Sequence, residues 1–196
     1  MAGYMYLGNK KVCPAIVVKS GYQTKNAYFT ENVFTSVDAN GKLTASTTTA
    51  GDLVFTGFKD VGDNVFFQYF LNEDIGGNVI FLDLEQITGS YAFYMMFAGT
   101  NIESISFNKL NKISGGSPFY NFVSGDITDI YFPSLKSDSF ASGYGHFAFY
   151  DMLEWVGVQI TIHFPSNLQS TIAELYGYPN FGGNYTTLAF DLPATS

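Results

Sequence analysis

The sequence predicts a β-rich α/β protein: a solenoid of about six parallel rungs, with short helical turns on its convex side and a small N-terminal β unit. Three observations predict it. An alternating apolar segment recurs at nearly constant intervals, a short aromatic cluster follows each early occurrence, and residues 1 to 50 lack the recurrence. Self-similarity at a fixed period of about 20 to 50 residues marks stacked units, none of which buries its apolar face alone.

The strands come first. Leu53, Val79 and Ile105 open "LVFTGFKDVGD", "VIFLDLEQITG" and "ISFNKLNKISG" at intervals of 26 residues. Ile130 follows after 25 in "IYFPSLKS", Ile162 after 32 in "ITIHFPSNL" and Leu188 after 26 in "LAFDLP". Two positions after each stands a phenylalanine: Phe55, Phe81, Phe107, Phe132, Phe164 and Phe190. Strand alternation puts both residues of each pair on one face. A second apolar contact at Phe58, Leu84, Leu110 and Leu135, and a third at Val61, Ile87 and Ile113, describe an irregular bend after the strand.

The chain then returns through "FFQYFL", "FYMMF", "FYNFV" and "FYDML". These clusters are short, which favours one helical or 3₁₀ turn each, with the aromatics stacked as core filling. The fourth repeat carries an insertion at residues 138 to 148, "DSFASGYGHFA", expected as a surface loop. Residues 164 to 179, "FPSNLQSTIAELYGYP", carry a helix signature, with Ser166 or Asn167 as cap, Gln169 completing a capping box, and Gly177 and Pro179 as stop. "NFGGNYTTLAFDLP" then turns into the last strand.

The division expected is an N-terminal β attachment or capping unit over residues 1–50 and the solenoid over 51–196. Asn40-Gly41, between "VFTSVD" and "KLTASTTT", is a hairpin signal.

The pattern "IxxIxFPxLxxIxxxxF", seen in "ITDIYFPSLKS" and "NIESISFNKLNKI", resembles the BspA-like leucine-rich repeats, also called the Treponema pallidum type, over residues 52 to 192. That resemblance implies a leucine-rich-repeat solenoid and a tendency toward surface recognition. It implies no enzyme activity. Phe58 and Val61 in the first rung, and the insertion in the fourth repeat, depart from the pattern. The opening "MYLGNKKVCPAIVV" resembles the N-termini of tail, fibre and other accessory virion proteins of phages and prophages of gut Firmicutes.

Composition narrows the function classes. Apolar residues make up 46% and aromatics 18%, with only 13% charged, which describes an ordered chain rich in strand formers. The formal charge is −8, from 9 basic against 17 acidic residues. Binding to a phosphate backbone needs clustered basic residues, so nucleic acid is not an expected partner. No run of 18 apolar residues exists, and the lysines follow the first apolar residues, the reverse of a signal peptide. Cys13 stands alone, which excludes an internal disulfide and a cysteine-built zinc site.

Catalytic motifs are not found. No P-loop, dinucleotide-binding glycine pattern, HExxH, nucleophile elbow or EF-hand loop occurs. His146 and His163 are 17 residues apart, and His163 is expected on the solvent side of its strand. Among Asp52, Asp83, Glu103 and Asp129, only Asp52 and Asp129 share a rung position. Three rungs separate them, about 14 Å at roughly 4.8 Å per rung, too far for a pair of glycosidase carboxylates.

The expectation is a non-enzymatic bacteriophage structural protein: a tail fibre, head fibre or capsid decoration located in the virion and assembled in the bacterial cytoplasm. The alternatives are a bacterial cell-surface adhesin of the BspA-like type and a phage polysaccharide depolymerase. Other virion proteins are the expected partners of the N-terminal segment, and a host surface glycan or protein, or an identical subunit, is the partner of the solenoid. No cofactor, metal or membrane insertion is expected. If the first and third strand positions point inward, those before and between them point outward. These include Asn78, Ile80, Ser104, Ser106, Asp129, Tyr131, Thr161 and His163, the candidate ligand-binding residues, with Tyr131 and His163 as anchors.

Overall fold

The computed structural model describes residues 53–56, 59–68, 70–72, 77–140 and 143–196, and within the first fifty residues the strands Met5–Leu7, Lys10–Val12, Ile16–Lys19, Ser36–Val37 and Leu43–Thr44. It is a mostly parallel β-solenoid of about five turns with little helix. The main sheet has seven strands and follows chain order from Ile16–Lys19 through Leu53–Thr56, Asn78–Phe81, Ser104–Phe107, Asp129–Tyr131 and Ile160–Pro165 to Thr186–Leu192.

The register follows the apolar recurrence. Leu53 pairs with Val79, Val79 with Ile105, Ile105 with Ile130, Ile130 with Ile162, and Ile162 with Leu188. A slip of one residue would turn every one of these side chains to water, so the pattern and the register enforce each other. Ile16 pairs with Leu53, so the apolar run "AIVV" adds a strand at the N-terminal edge of the sheet. Ser36–Val37 and Leu43–Thr44 pair antiparallel across the Asn40-Gly41 position, which itself lies outside the described residues, as do Asp52 and Phe58.

The bend carries a second parallel sheet of Asp60–Val61, Gln86–Ile87 and Lys112–Ile113. Its inward residues Val61, Ile87 and Ile113 are buried beside Leu84, Leu110 and Leu135. Phe140 from the insertion bridges to Ile113. Part of that insertion therefore continues the coil, and Tyr144–Phe147 forms a 3₁₀ turn beyond it.

The core is a set of phenylalanine columns. Successive rings from Phe55 through Phe81, Phe107, Phe132 and Phe164 to Phe190 stack at 4.4, 4.7, 5.1, 5.7 and 5.8 Å. All but Phe190, on the terminal strand, are buried. Phe66, Phe93, Phe119 and Phe149 form a second buried column at 5.2, 5.3 and 5.9 Å. The two columns meet edge-on, as between Phe81 and Phe93, the geometry that ring quadrupoles favour.

The returns are not helical. Each is a run of turns in which some N–H groups bond three residues back, as Tyr94 to the Tyr91 carbonyl at 3.2 Å, and others bond to the next coil: Phe66 to the Ala92 carbonyl at 2.8 Å, Phe93 to Pro118 at 2.8 Å, Asn121 to Asp151 at 2.9 Å. Residues with positive φ recur in them, Asn64, Tyr91 and Ser117 at one level and Gln68, Met95 and Asn121 at another. A helix would spend those donors four residues back along its own chain. Here stacking of identical coils offers each one a partner across the step.

The helix expected over residues 164–179 shrinks to Gln169–Ala173, with Leu168 rather than Ser166 at its N-cap and no side-chain cap bond. Asn167 is engaged elsewhere: its amide donates to the Thr195 carbonyl at 2.7 Å, and its oxygen accepts from the Thr195 N–H at 3.2 Å. Thr195 also donates to the Leu135 carbonyl at 2.7 Å, which ties the C-terminal segment across the coils.

Candidate functional site

The outward face of the main sheet carries the eight residues singled out above. Asn78, Ile80, Ser104, Ser106, Asp129, Tyr131, Thr161 and His163 alternate with buried neighbours, and all are half-buried. Strand pairing sets Asn78 beside Ser104, Ser104 beside Asp129 and Asp129 beside Thr161; the second row runs from Ile80 through Ser106 and Tyr131 to His163. Ser104 donates to Asn78 Oδ1 at 2.7 Å. Toward the N-terminal coils the face is small and neutral.

Toward the C-terminal coils it is different. The rings of Tyr131 and His163 stack at 4.4 Å with planes 12° apart. His163 Nε2 lies 2.9 Å from Asp129 Oδ1, and its Nδ1 lies 3.0 Å from both carboxylate oxygens of Asp191. Thr128 Oγ1 donates to Asp129 Oδ2 at 2.6 Å. The His163 side chain is only 14% exposed, so the solvated histidine expected at this position is instead clamped between two acids. Burial opposes its charge, but the Asp129 and Asp191 hydrogen bonds and charges outweigh that and raise its pKa above 6.5. Burial likewise opposes ionisation of Asp129, while bonds from Thr128 and His163 hold its pKa below the usual value. Burial, then the charges of Asp129 and Asp191, push the Tyr131 phenol up.

Sequence reasoning missed Asp191 and Thr128. Asp191 had a signal, because it continues the alternation Thr187, Ala189 on the last strand. Thr128 had none, since it precedes its strand. Asp129 and Asp191 both converge on one imidazole, an arrangement that fixes a ring and joins three strands. Among the described residues no group of three His, Cys, Asp or Glu side chains is set to hold a metal ion.

A second surface was also missed. In "FYMMF", "FYNFV" and "FYDML" the phenylalanine enters the core, but the tyrosine beside it stays at the surface. Phe67, Tyr94, Tyr120 and Tyr150 make an outer row with ring separations of 4.7, 5.7 and 5.9 Å. The core-filling expectation thus holds for one aromatic of each pair only. The signal was the Phe-Tyr doublet itself, whose phenol hydroxyl favours the surface over a dry interior.

The chain matches no family model, no curated protein and no solved structure. No described helix is long and apolar enough to cross a membrane.

Proposed function

We propose that the chain is a non-enzymatic structural protein of a bacteriophage particle, a tail fibre, head fibre or capsid decoration, whose solenoid displays a recognition surface to the host. The observation that carries this reading is the Tyr131–His163 stack held between Asp129 and Asp191. It is a rigid, amphipathic aromatic pair on a face otherwise made of small side chains, and pre-ordered aromatics contribute contact area at low entropic cost. Both carboxylates are spent on orienting one ring, which favours binding over glycoside hydrolysis, where two acids must flank a bond. The N-terminal resemblance to phage accessory proteins supports the particle assignment. The Phe, Leu and Ile spacing supports assigning six coils, opening at Leu53 to Leu188, to the BspA-like leucine-rich-repeat type.

Electron microscopy of particles labelled at this protein tests the reading: label at fixed sites on heads or tails supports it. Label confined to the bacterial envelope would replace it with the surface-adhesin reading.

A further inference from the structure

The outer aromatic row runs along the solenoid on the return side, away from the main sheet. The buried Phe66–Phe93–Phe119–Phe149 column already fills the interior there, so the outer rings are not needed for the core. Tyr91 leans edge-on against Tyr94 and Tyr120 at 6.1 and 6.0 Å. Tyr176 extends the seam past Tyr150 at 5.1 Å. Phe67, Tyr91 and Tyr176 are 44%, 46% and 55% exposed. Large apolar side chains scattered singly on a surface need no explanation, but a continuous seam marks a contact site.

The chain's one tryptophan, Trp155, 66% exposed, lies against Asn121, the residue that follows Tyr120 of the row. It does not swing freely. With the Asn121 amide oriented to match its neighbours, its side-chain oxygen accepts from the indole N–H at 2.9 Å and its nitrogen donates to Glu154 Oε2 at 2.9 Å. Asn121 is itself only 6% exposed. A buried amide thus presents an exposed indole and a carboxylate in fixed orientation, an ordering cost met before any ligand arrives.

We propose that this seam, anchored at Trp155, binds a linear, uncharged oligosaccharide. The ring separations along the row, 4.7 to 5.9 Å, are close to the length of one pyranose unit, so a linear oligosaccharide can follow the row. The row's own rings lie face to face, so the faces left for sugar C–H surfaces are those of the exposed indole, of Tyr91, which stands edge-on to the row, and of Tyr176, inclined 64° to Tyr150. Asp151 and Glu154 accept from hydroxyl groups. The Tyr120 phenol stays protonated, its pKa raised by burial and then by Glu154 and Asp151, and the Tyr150 hydroxyl is held by a hydrogen bond to Asp151 that pushes its pKa up to about 12.

Charge selects against the other occupants. The chain has no arginine; of the described lysines, Lys59, Lys109, Lys112 and Lys136 belong to the bend and the second sheet, and Lys10, Lys11 and Lys19 to the strands Lys10–Val12 and Ile16–Lys19. Phosphate or uronate chains would therefore meet Asp151 and Glu154, with no cation bonded to either carboxylate among the described residues. A second copy would bring the same acids against each other in a chain of charge −8. The inference rests on the recognition reading for its biological setting, but the site does not depend on the particle assignment.

The test uses the purified full chain, with Trp155 fluorescence and calorimetry as readouts. The probes are hexamers of β-1,4-glucose, α-1,4-glucose, mannose and N-acetylglucosamine, with hexagalacturonate as the acidic control. At least one neutral hexamer shifts the emission and binds at least about tenfold more tightly than the acidic one. Tyr91→Ser with Tyr176→Ser, both exposed and so compatible with an intact fold, weakens binding at least about tenfold at unchanged melting temperature. Leu82→Ser, at an exposed residue outside the row, leaves it unchanged, and the sheet-face variant Tyr131→Ala with His163→Ala tells whether the main sheet binds instead. The proposal is overturned if no neutral hexamer binds up to about 10 mM, if the sheet-face variant and not the seam variant abolishes binding, or if the seam variant turns a dimer into a monomer. If hexamers bind the seam while labelled particles adsorb normally with the seam variant, the recognition role falls and the binding site stands.

Discussion

His163 Nε2 lies 2.9 Å from Asp129 Oδ1, across the step between two adjacent strands of the main sheet. The pair couples the last coils to the pH. Because the His163 pKa is raised above 6.5 in the folded chain, its stabilisation is fully present below about 6.5 and is lost as pH rises through the folded value. The Asp129 pKa is lowered from 3.8, so its share is present above that value and is lost as pH falls through the folded one. Stability should be greatest between about pH 4 and 6.5. Denaturant melts of wild type should show a loss from pH 6 to pH 9 that His163→Gln does not share. Parallel pH profiles for the two proteins would remove the charged clasp from the account.

The same stack tests the sheet face as a contact surface. Tyr131→Ala with His163→Ala should reduce particle adsorption to host cells without changing the mass of the protein in solution. Unchanged adsorption with unchanged assembly would leave this face a passive sheet.

Phe107 and Phe132 stack at 5.1 Å in the buried column, and neither has room to relax because another ring lies beyond each. Phe107→Ala or Phe132→Ala should cost about 3 to 5 kcal/mol. Chemical denaturation measures it, and a cost under about 1 kcal/mol would contradict a dry, close-packed column.

Gly115 sits where coil backbones touch: a Cβ there would come within 1.9 Å of the Gly89 carbonyl oxygen. Neither atom belongs to a flexible side chain, so the coils must separate. Gly115→Ala should destabilise by more than about 2 kcal/mol, whereas Gly157→Ala, with nothing within 4 Å of the added carbon, should fall within about 0.5 kcal/mol of wild type. Equal melting of the two variants would refute the close stacking.

Most of the architecture is a one-dimensional property and was legible as such. An apolar residue that recurs at intervals of 25 to 32 residues can be buried only by stacking on its own kind, which is why the register from Leu53 to Leu188 and the burial of Phe55 to Phe164 follow from spacing alone. The outward placement of Tyr131 and His163 follows from the same alternation. What spacing does not carry is the choice a donor or ring makes between partners of similar energy. The return turns gave up helical bonds because the next coil offered carbonyls in range, and Ser166 lost its capping role with Asn167 drawn to Thr195. Asp191 reached His163 because the last strand lies beside the Ile160–Pro165 strand. The division of each Phe-Tyr doublet between core and surface, and the tether from Asn121 to Trp155, depend on turn geometry and on which volume was already filled. Periodicity determined the stack; packing in three dimensions decided which side chains were left over at its surface to meet a ligand.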